Sequence, residues 1–288
     1  MSYIQELHER ASREGWALGH FNVSSAEQIR SVVQAALNVK CPVLVGTSEG
    51  ERKYLGLRQA VALVRSFREE TGLPIFLNAD HSKSVEAAKA ATDAGYDSIH
   101  IDLSHLSYEE NVKGTKEVVQ YVRVRNLEAH VEAEIGLLKG ESKIQREVIE
   151  VRPEDMTTSA QAADFVKKTG INRLAPAVGN IHGLAENEKI IYPDLIRKIR
   201  GMIPQHVGIT LHGGSGISDA LITAAIKEGV NNIHINTEIR VAAADAIRSS
   251  LAEHPEETTP YKLLEPMIRA VQLKVEEKLK LFGAVNKI

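Results

Sequence analysis

Short apolar runs recur along the chain, and each is followed by a segment with the spacing of a helix. Runs of this length, bounded by turn residues, are typical of buried strands. There are eight of them: Ala17–Val23, Pro42–Ser48, Pro74–Asp80, Ser98–Ser104, Glu128–Gly136, Arg173–Gly179, Gly208–Gly214 and Asn232–Glu238. The pattern therefore predicts eight strands that alternate with helices.

The segments between the runs carry helix-end signals. A serine cap, at Ser24 or Ser25, precedes one amphipathic stretch, and an alanine-rich stretch from Ser84 ends at Gly95. Eight strand–helix units in about 240 residues match the size of a (β/α)8 TIM barrel. A doubly wound sheet would need a glycine-rich first turn, which residues 19–22 (GHFN) do not provide. We expect residues 1–288 to form a single barrel domain.

Two segments lie outside this repeat. Residues 137–153 form a long polar stretch after the fifth strand, and a loop of that length is usually functional, often as a mobile lid. Residues 254–288 have helical periodicity after the eighth strand. We expect this C-terminal helical extension to pack on the outside of the barrel, with a subunit contact as the alternative.

Composition narrows the classes of function. The 288 residues carry a formal net charge of −3, which provides no electrostatic footprint for nucleic acid. No apolar run is long enough to cross a membrane, and the amphipathic start fits neither a signal nor a transit peptide. The one cysteine, Cys41, excludes an internal disulfide and indicates a reducing compartment, so we expect a cytoplasmic protein.

Histidine is frequent, with eleven residues, and several follow predicted strands. In a TIM barrel the active site lies at the carboxyl ends of the strands. His81, His182 and His212 follow strands three, six and seven, and three imidazoles around an open position are typical of a catalytic zinc site. Packing histidines are the alternative, and the spacing alone leaves both interpretations open.

The other histidines have less specific positions. His8, His206 and His254 fall in helical or turn segments, where we expect them at the surface. His100 and His130 lie within predicted strands and are expected in the core.

The seventh predicted strand ends in a glycine-rich turn, residues 212–216 (HGGSG). Glycines allow main-chain N–H groups to approach an anion closely. Asn236 and Thr237, at the end of strand eight, can cap the following helix, and a helix N-terminus favours a phosphate. Loops after strands seven and eight commonly bind phosphate in barrels. We therefore expect a phosphate site here.

The ordered motifs of the chain resemble those of the class II, zinc-dependent ketose-bisphosphate aldolases, the fructose- and tagatose-bisphosphate group. The similarity extends over nearly the whole chain. The motifs that carry it are GHFN (19–22), GTSE (46–49), DH (80–81), DLSH (102–105), VEAEIG (131–136), NIHG (180–183), HGGSG (212–216) and TE (237–238).

The resemblance implies a catalytic Zn²⁺ bound by His81, His182 and His212, with Asp80 as the catalytic acid and base. It implies an alternative metal site at Asp102 and Glu134. Contacts with the substrate are implied for Ser48, Gly183, Gly213, Gly214, Ser215 and Thr237. It also implies a monovalent cation near the phosphate and a homodimer or homotetramer.

Some positions depart from the family pattern. His234 occupies a substrate-facing position where the family usually has an asparagine, and we expect it to contact the substrate. Asn232 stands where a lysine is common. The mobile loop of the family carries a glutamate that shuttles a proton, and Glu141, one place off, is the nearest carboxylate in this chain.

The implied activity is that of a lyase, the reversible aldol cleavage of fructose 1,6-bisphosphate to dihydroxyacetone phosphate and glyceraldehyde 3-phosphate. Tagatose 1,6-bisphosphate or a related phospho-ketose is the alternative substrate. A Schiff-base aldolase would need a lysine, and none of the eight predicted strands contains one. A zinc hydrolase on the same barrel is a remoter alternative, because strand one carries only His20 beside Asn22 instead of a His-x-His pair. A non-enzymatic metal-binding role is a further one.

Overall fold

Eight parallel strands close into a barrel in a computed structural model that describes residues 2–288. Each strand pairs with its neighbours in chain order, and the last pairs with the first. The strands are β1 (Leu18–Asn22), β2 (Val43–Thr47), β3 (Ile75–Ser82), β4 (Ser98–Ile101), β5 (His130–Ile135), β6 (Arg173–Pro176), β7 (Gly208–Leu211) and β8 (Asn232–Ile235). The sequence prediction of a (β/α)8 barrel is confirmed.

All eight predicted strands are present, but four end three residues earlier than their apolar patterns suggested. β4, β6, β7 and β8 each end three residues before the predicted position. The residues beyond these ends leave the hydrogen-bonded ladder and form the loops of the barrel mouth. The polar motifs of the sequence therefore lie on loops that the barrel positions.

Helices surround the barrel and fill the connections between the strands. They are α1 (Tyr3–Glu14), α2 (Ala26–Val39), α3 (Glu49–Leu55), α4 (Leu57–Thr71), α5 (Val85–Ala94), α6 (Tyr108–Arg125), α7 (Ser159–Thr169), α8 (Pro193–Met202), α9 (Asp219–Lys227), α10 (Thr237–Glu253) and α11 (Pro260–Leu281). Ser25, one of the two predicted caps, accepts a hydrogen bond from Gln28 N at the start of α2. Gly95 ends α5 in the left-handed conformation, with φ 98°, which glycine adopts without strain.

The C-terminal extension packs on the outside of the barrel, as expected. Helix α11 lies against α10 and α2, and it buries Met267, Val271, Val275 and Leu279. Within residues 2–288, no helix combines the length and apolar character needed to cross a membrane.

The interior of the barrel is polar where many barrels are apolar. The guanidinium of Arg173 on β6 donates to Glu132 Oε2 over 2.8 Å and to Ser98 Oγ over 2.7 Å, and all three side chains are buried. His8 on α1 lies 2.9 Å from the same guanidinium and is 2% exposed. The expectation that His8 is at the surface was wrong, because α1 covers the barrel interior and buries this side chain against Arg173.

Candidate active site

A cavity lies at the carboxyl ends of the strands, and residues from loops distant in the sequence meet there. His81, His182 and His212, which the sequence placed at the ends of strands three, six and seven, all line it. The other residues that line the cavity are Asn22, Asp80, Ser142, Gly183, Gly213, Ser215, His234, Asn236 and Thr237.

The three imidazoles form an open cluster. The ring centroids of His81 and His212 are 4.7 Å apart, those of His81 and His182 are 5.0 Å apart, and those of His182 and His212 are 6.2 Å apart. Ligand atoms of His81 and His212 lie within 4.8 Å of each other, together with those of Asp80 and His100. In residues 2–288, no such group includes His182, which stands further out.

Two carboxylates orient the inner imidazoles. Glu132 Oε1 lies 2.8 Å from His212 Nε2, and Asp102 Oδ2 lies 2.9 Å from His81 Nδ1. An ionised carboxylate only accepts hydrogen bonds, so each imidazole donates through that nitrogen, and its other nitrogen is the one that can bind a metal ion once it carries no proton. Carboxylate–histidine pairs of this kind fix metal-ligating imidazoles in many sites. The donor set therefore fits a zinc ion.

Neighbouring groups keep the carboxyl group of Glu132 ionised. Burial alone would raise the pKa of its carboxyl group, but the guanidinium of Arg173 and the surrounding imidazoles hold it well below its usual range. The sequence analysis placed Glu132 and Glu134 on one face of strand five but assigned no role to Glu132. The sequence feature that could have identified Glu132 is a carboxylate in the middle of a strand that is otherwise predicted to be buried.

Asp80 and His81 are consecutive in the chain, yet both face the cavity. Adjacent residues of a regular strand point to opposite faces. The pairing register of β3 with β4 shifts between Ala79 and Ser82, and His81 has a φ of 44°. This left-handed backbone is strained for a residue with a Cβ, as is common at functional sites. The bulge turns both side chains to the same side.

Asp80 lines the cavity and is 3% exposed. Asn22 Nδ2 donates to its Oδ2 over 2.9 Å, and His234 Nδ1 lies 3.3 Å from its Oδ1. Burial alone would raise the pKa of Asp80, but the nearby imidazoles, His81 foremost, hold it well below its usual range. Asp80 is therefore ionised at neutral pH and can accept a proton. The sequence analysis did not identify Asn22 as its partner.

A second cluster joins His81 to Asp102 and Glu134, whose ligand atoms lie within 4.8 Å of one another. Burial and the Asp102 carboxylate raise the pKa of Glu134 well above its usual value. For His81, the carboxylates of Asp80, Asp102 and Glu134 outweigh the effect of burial and raise the pKa to about 10. Two carboxylates and an imidazole at this spacing can hold a cation.

His234 is packed deep in the mouth. Its ring stacks on that of His20 at 3.5 Å between centroids and lies 4.0 Å from that of His212. Burial lowers the pKa of His20 to about 4, so this ring is neutral at physiological pH. His234 thus faces both Asp80 and the ring of His212.

One side of the cavity presents main-chain N–H groups. Within residues 2–288, those of Gly183, Gly213, Ser215 and Thr237 have no hydrogen-bond acceptor in the protein. A Cβ at Gly213 would overlap the carbonyl oxygen of Ile181, so only glycine fits there. Unpaired N–H groups of residues that line a cavity suit an anion, and Thr237 also begins helix α10.

Three other residues that the sequence analysis named, Gly214, Ser48 and Glu141, are not among the residues that line the cavity. The N–H of Gly214 donates to the carbonyl of His234 over 3.1 Å, and Gly214 does not line the cavity. Ser48 caps α3, and its N–H donates to Glu51 Oε2. Glu141 lies in the loop with a 73% exposed side chain 2.8 Å from Lys143 Nζ, whereas its neighbour Ser142 lines the cavity.

A closed parallel barrel whose mouth presents imidazoles, carboxylates and free N–H groups is typical of metal-dependent barrel enzymes. A family model described as fructose-bisphosphate aldolase class-II matches residues 2–287. The chain belongs to the class II fructose-bisphosphate aldolase family, whose members are metal-dependent lyases.

Individual relatives agree with this assignment. The chain is 35% identical over 289 residues to a fructose-bisphosphate aldolase of Geobacillus stearothermophilus, covering 99% of this chain and 97% of the relative. It is 36% identical to a probable fructose-bisphosphate aldolase of Bacillus subtilis, covering 98% of each. The crystal structure of the YdjI aldolase from Escherichia coli K12 superposes with a TM-score of 0.84 at 31% identity, covering 99% of this chain and 98% of that one.

Proposed function

We propose that this chain is a zinc-dependent aldolase that reversibly cleaves fructose 1,6-bisphosphate to dihydroxyacetone phosphate and glyceraldehyde 3-phosphate. The observation that carries the proposal is one cavity that joins three imidazoles, an ionised Asp80 and a row of free N–H groups. Residues 1–288 would act as one domain, with residues 254–288 as an outer helical extension.

His81, His182 and His212 are the proposed zinc ligands. Zinc bound there would supply Lewis-acid stabilisation of the negative charge that cleavage of the C3–C4 bond leaves on the triose. The hydrogen bonds from His81 to Asp102 and from His212 to Glu132 support this set, because they keep one nitrogen of each ring available. Asp102 and Glu134, beside His81, are the proposed alternative metal position.

Asp80 is the proposed acid and base. In cleavage it would take the proton from the C4 hydroxyl, and in condensation it would return it. The amide of Asn22 holds the carboxylate in place, and His234 beside it would contact the substrate. Glu141 is the proposed loop carboxylate that exchanges a proton on the triose carbon. In the observed conformation it pairs with Lys143, so this step requires the loop to move.

The remaining side of the cavity would hold a phosphate. The free N–H groups of Gly183, Gly213, Ser215 and Thr237 would donate to it, and Asn236 lines the same wall. Gly214 would act by fixing the loop through its bond to His234, and Ser48 would contact a substrate hydroxyl or the second phosphate. A phosphate held here fixes the carbon chain for reaction.

Location and assembly complete the proposal. The buried, single Cys41 supports a reducing, cytoplasmic location, and the family resemblance supports a homodimer or homotetramer.

The substrate is tested by cleavage assays on fructose and tagatose 1,6-bisphosphate, which differ at C4, the carbon next to Asp80 in this mechanism. Each is assayed with zinc, after chelation, and after zinc is restored. We expect fructose 1,6-bisphosphate to be cleaved faster and activity to depend on zinc. Faster cleavage of tagatose 1,6-bisphosphate would identify that sugar as the substrate instead. Cleavage that persists after full chelation would refute the metal mechanism.

A further inference from the structure

Lys189, in the loop between β6 and α8, carries a buried ammonium group behind the row of free N–H groups. Its side chain is 3% exposed. Nζ donates to the carbonyl oxygens of Ile181 and Gly213, each over 2.8 Å. These two carbonyls belong to the residue before His182 and the residue after His212. The ammonium group therefore joins the two loops that carry two of the proposed zinc ligands.

Among residues 2–288, no ionised group lies at contact distance from this ammonium. Glu238 is the acid whose charge acts on it, and the carboxylate of Glu238 instead forms an ion pair with Lys278 Nζ over 2.8 Å. Burial lowers the pKa of Lys189 to about 7. A buried cation without a counter-charge is costly, so its retention suggests that an anion arrives during function.

The proposed phosphate site is adjacent. Gly213 lines the cavity and presents its carbonyl to Lys189, while its own N–H has no acceptor in the part of the chain that the structure describes. The stem of Lys189 runs beside the same turn, since a Cβ on Gly216 would lie 3.8 Å from its Cε. The cation and the N–H donors thus occupy two sides of one loop.

Two main-chain carbonyls that converge on one positive charge form the kind of site that also holds a monovalent metal ion. An ammonium group and a potassium ion are similar in size and charge. We propose that Lys189 is a built-in cation of the phosphate site, which takes the place of a bound monovalent metal ion and is neutralised by the phosphate of the substrate. It acts as a positioning residue. This inference rests on the phosphate-binding role proposed above.

The test measures binding of dihydroxyacetone phosphate and of inorganic phosphate to the zinc-loaded protein by calorimetry. Tetramethylammonium is the only monovalent cation at first, and K⁺ or NH₄⁺ then replaces it at constant ionic strength. We expect the affinity of the wild-type protein to change by less than about twofold. Lys189→Met should bind about tenfold or more weakly, because a buried charge no longer faces the phosphate. K⁺ or NH₄⁺ should restore part of that loss.

Two further variants make the result specific. Lys189→Gln keeps a hydrogen-bond donor without the charge and should resemble Lys189→Met in affinity and in its response to K⁺. Lys168→Met, on the exposed face of α7, should behave as the wild-type protein does. If Lys189→Met does not fold, the Lys189→Gln variant and the cation response of the wild-type protein decide the question.

The inference is overturned if the wild-type protein requires K⁺ for phosphate binding, or if the folded variants bind phosphate as tightly as the wild type. Weak phosphate binding by the folded Lys189 variants that neither K⁺ nor NH₄⁺ restores also overturns the inference. A wild-type protein that binds phosphate without K⁺ but cleaves neither sugar bisphosphate would refute the proposed function alone.

Discussion

Glu132 accepts a hydrogen bond from His212 Nε2 over 2.8 Å, and both side chains are buried. Arg173 holds the other oxygen of the same carboxylate over 2.8 Å. An arginine deep in the barrel thereby keeps Glu132 ionised, and Glu132 sets which nitrogen of His212 faces the cavity. The polar barrel interior and the imidazole cluster form one connected network.

Substitution Glu132→Gln should weaken zinc binding by about 10- to 100-fold, because the carboxylate no longer orients the imidazole. Competition with a chromophoric chelator measures this affinity. Glu128→Gln, on an exposed residue just before β5, is the control. The metal-free variant should also be about 3–5 kcal/mol less stable in denaturant, since Arg173 is left buried without its partner. Unchanged zinc affinity would contradict the orienting role.

Substitution Asp80→Asn should lower kcat for aldol cleavage by about 10²- to 10⁴-fold, the usual contribution of a general base. The amide cannot take the C4 proton but is of similar size, so zinc content should stay at the wild-type value. Steady-state kinetics and metal analysis measure both quantities. Asp194→Asn, on the exposed first turn of α8, should have no effect. Loss of zinc with the activity would indicate that Asp80 supports the metal instead.

Substitution Glu141→Gln should slow the exchange of the triose proton with solvent by about 10²-fold or more, since the proposed loop base is removed. Isotope exchange into dihydroxyacetone phosphate, followed by NMR, isolates this step. Glu147→Gln, elsewhere in the same loop, serves as the comparison. Normal exchange in the Glu141 variant would assign the step to another group.

Stability should depend on pH through His130, at the amino end of β5. Burial and Arg173 lower its pKa to about 3 in the folded protein, from 6.5. The folded state therefore binds fewer protons, so this stabilisation is complete above pH 6.5 and is lost as the pH falls toward 3. Between pH 7 and pH 5 the loss should be about 2 kcal/mol.

Urea denaturation of the metal-free protein at both pH values measures this loss. The His130→Asn variant should lose about 2 kcal/mol less than the wild type over the same interval. His254→Asn, at an exposed position, should match the wild-type dependence. Equal dependence in the wild type and the His130 variant would show that other groups account for it.

Periodicity was sufficient to predict the architecture, because a strand buried on both faces produces a short apolar run whatever its neighbours are. It also predicted that His81, His182 and His212 lie close together, since the carboxyl ends of parallel strands in a barrel meet at one mouth. Strand ends were predicted less well, because Ala177 and Val178 continue the apolar run although β6 has ended at Pro176.

The roles of Glu132, Asn22 and Lys189 were not predicted, because each depends on a partner distant in the sequence. Glu132 meets His212, Asn22 meets Asp80, and Lys189 meets the carbonyl of Gly213. Linear spacing contains no information on such pairs. His8 was misplaced for the same reason, since its partner Arg173 lies 165 residues further along the chain.

The bulge in β3 limits how this chemistry could be transferred by protein engineering. An Asp-His dipeptide grafted onto a regular strand of another barrel would send one side chain inward and the other into the helical layer. The graft would have to include the register shift from Ala79 to Ser82 and a neighbouring strand that accepts it. The smallest portable unit is therefore a pair of strands with their mismatch, and a sequence motif alone would not transplant the site.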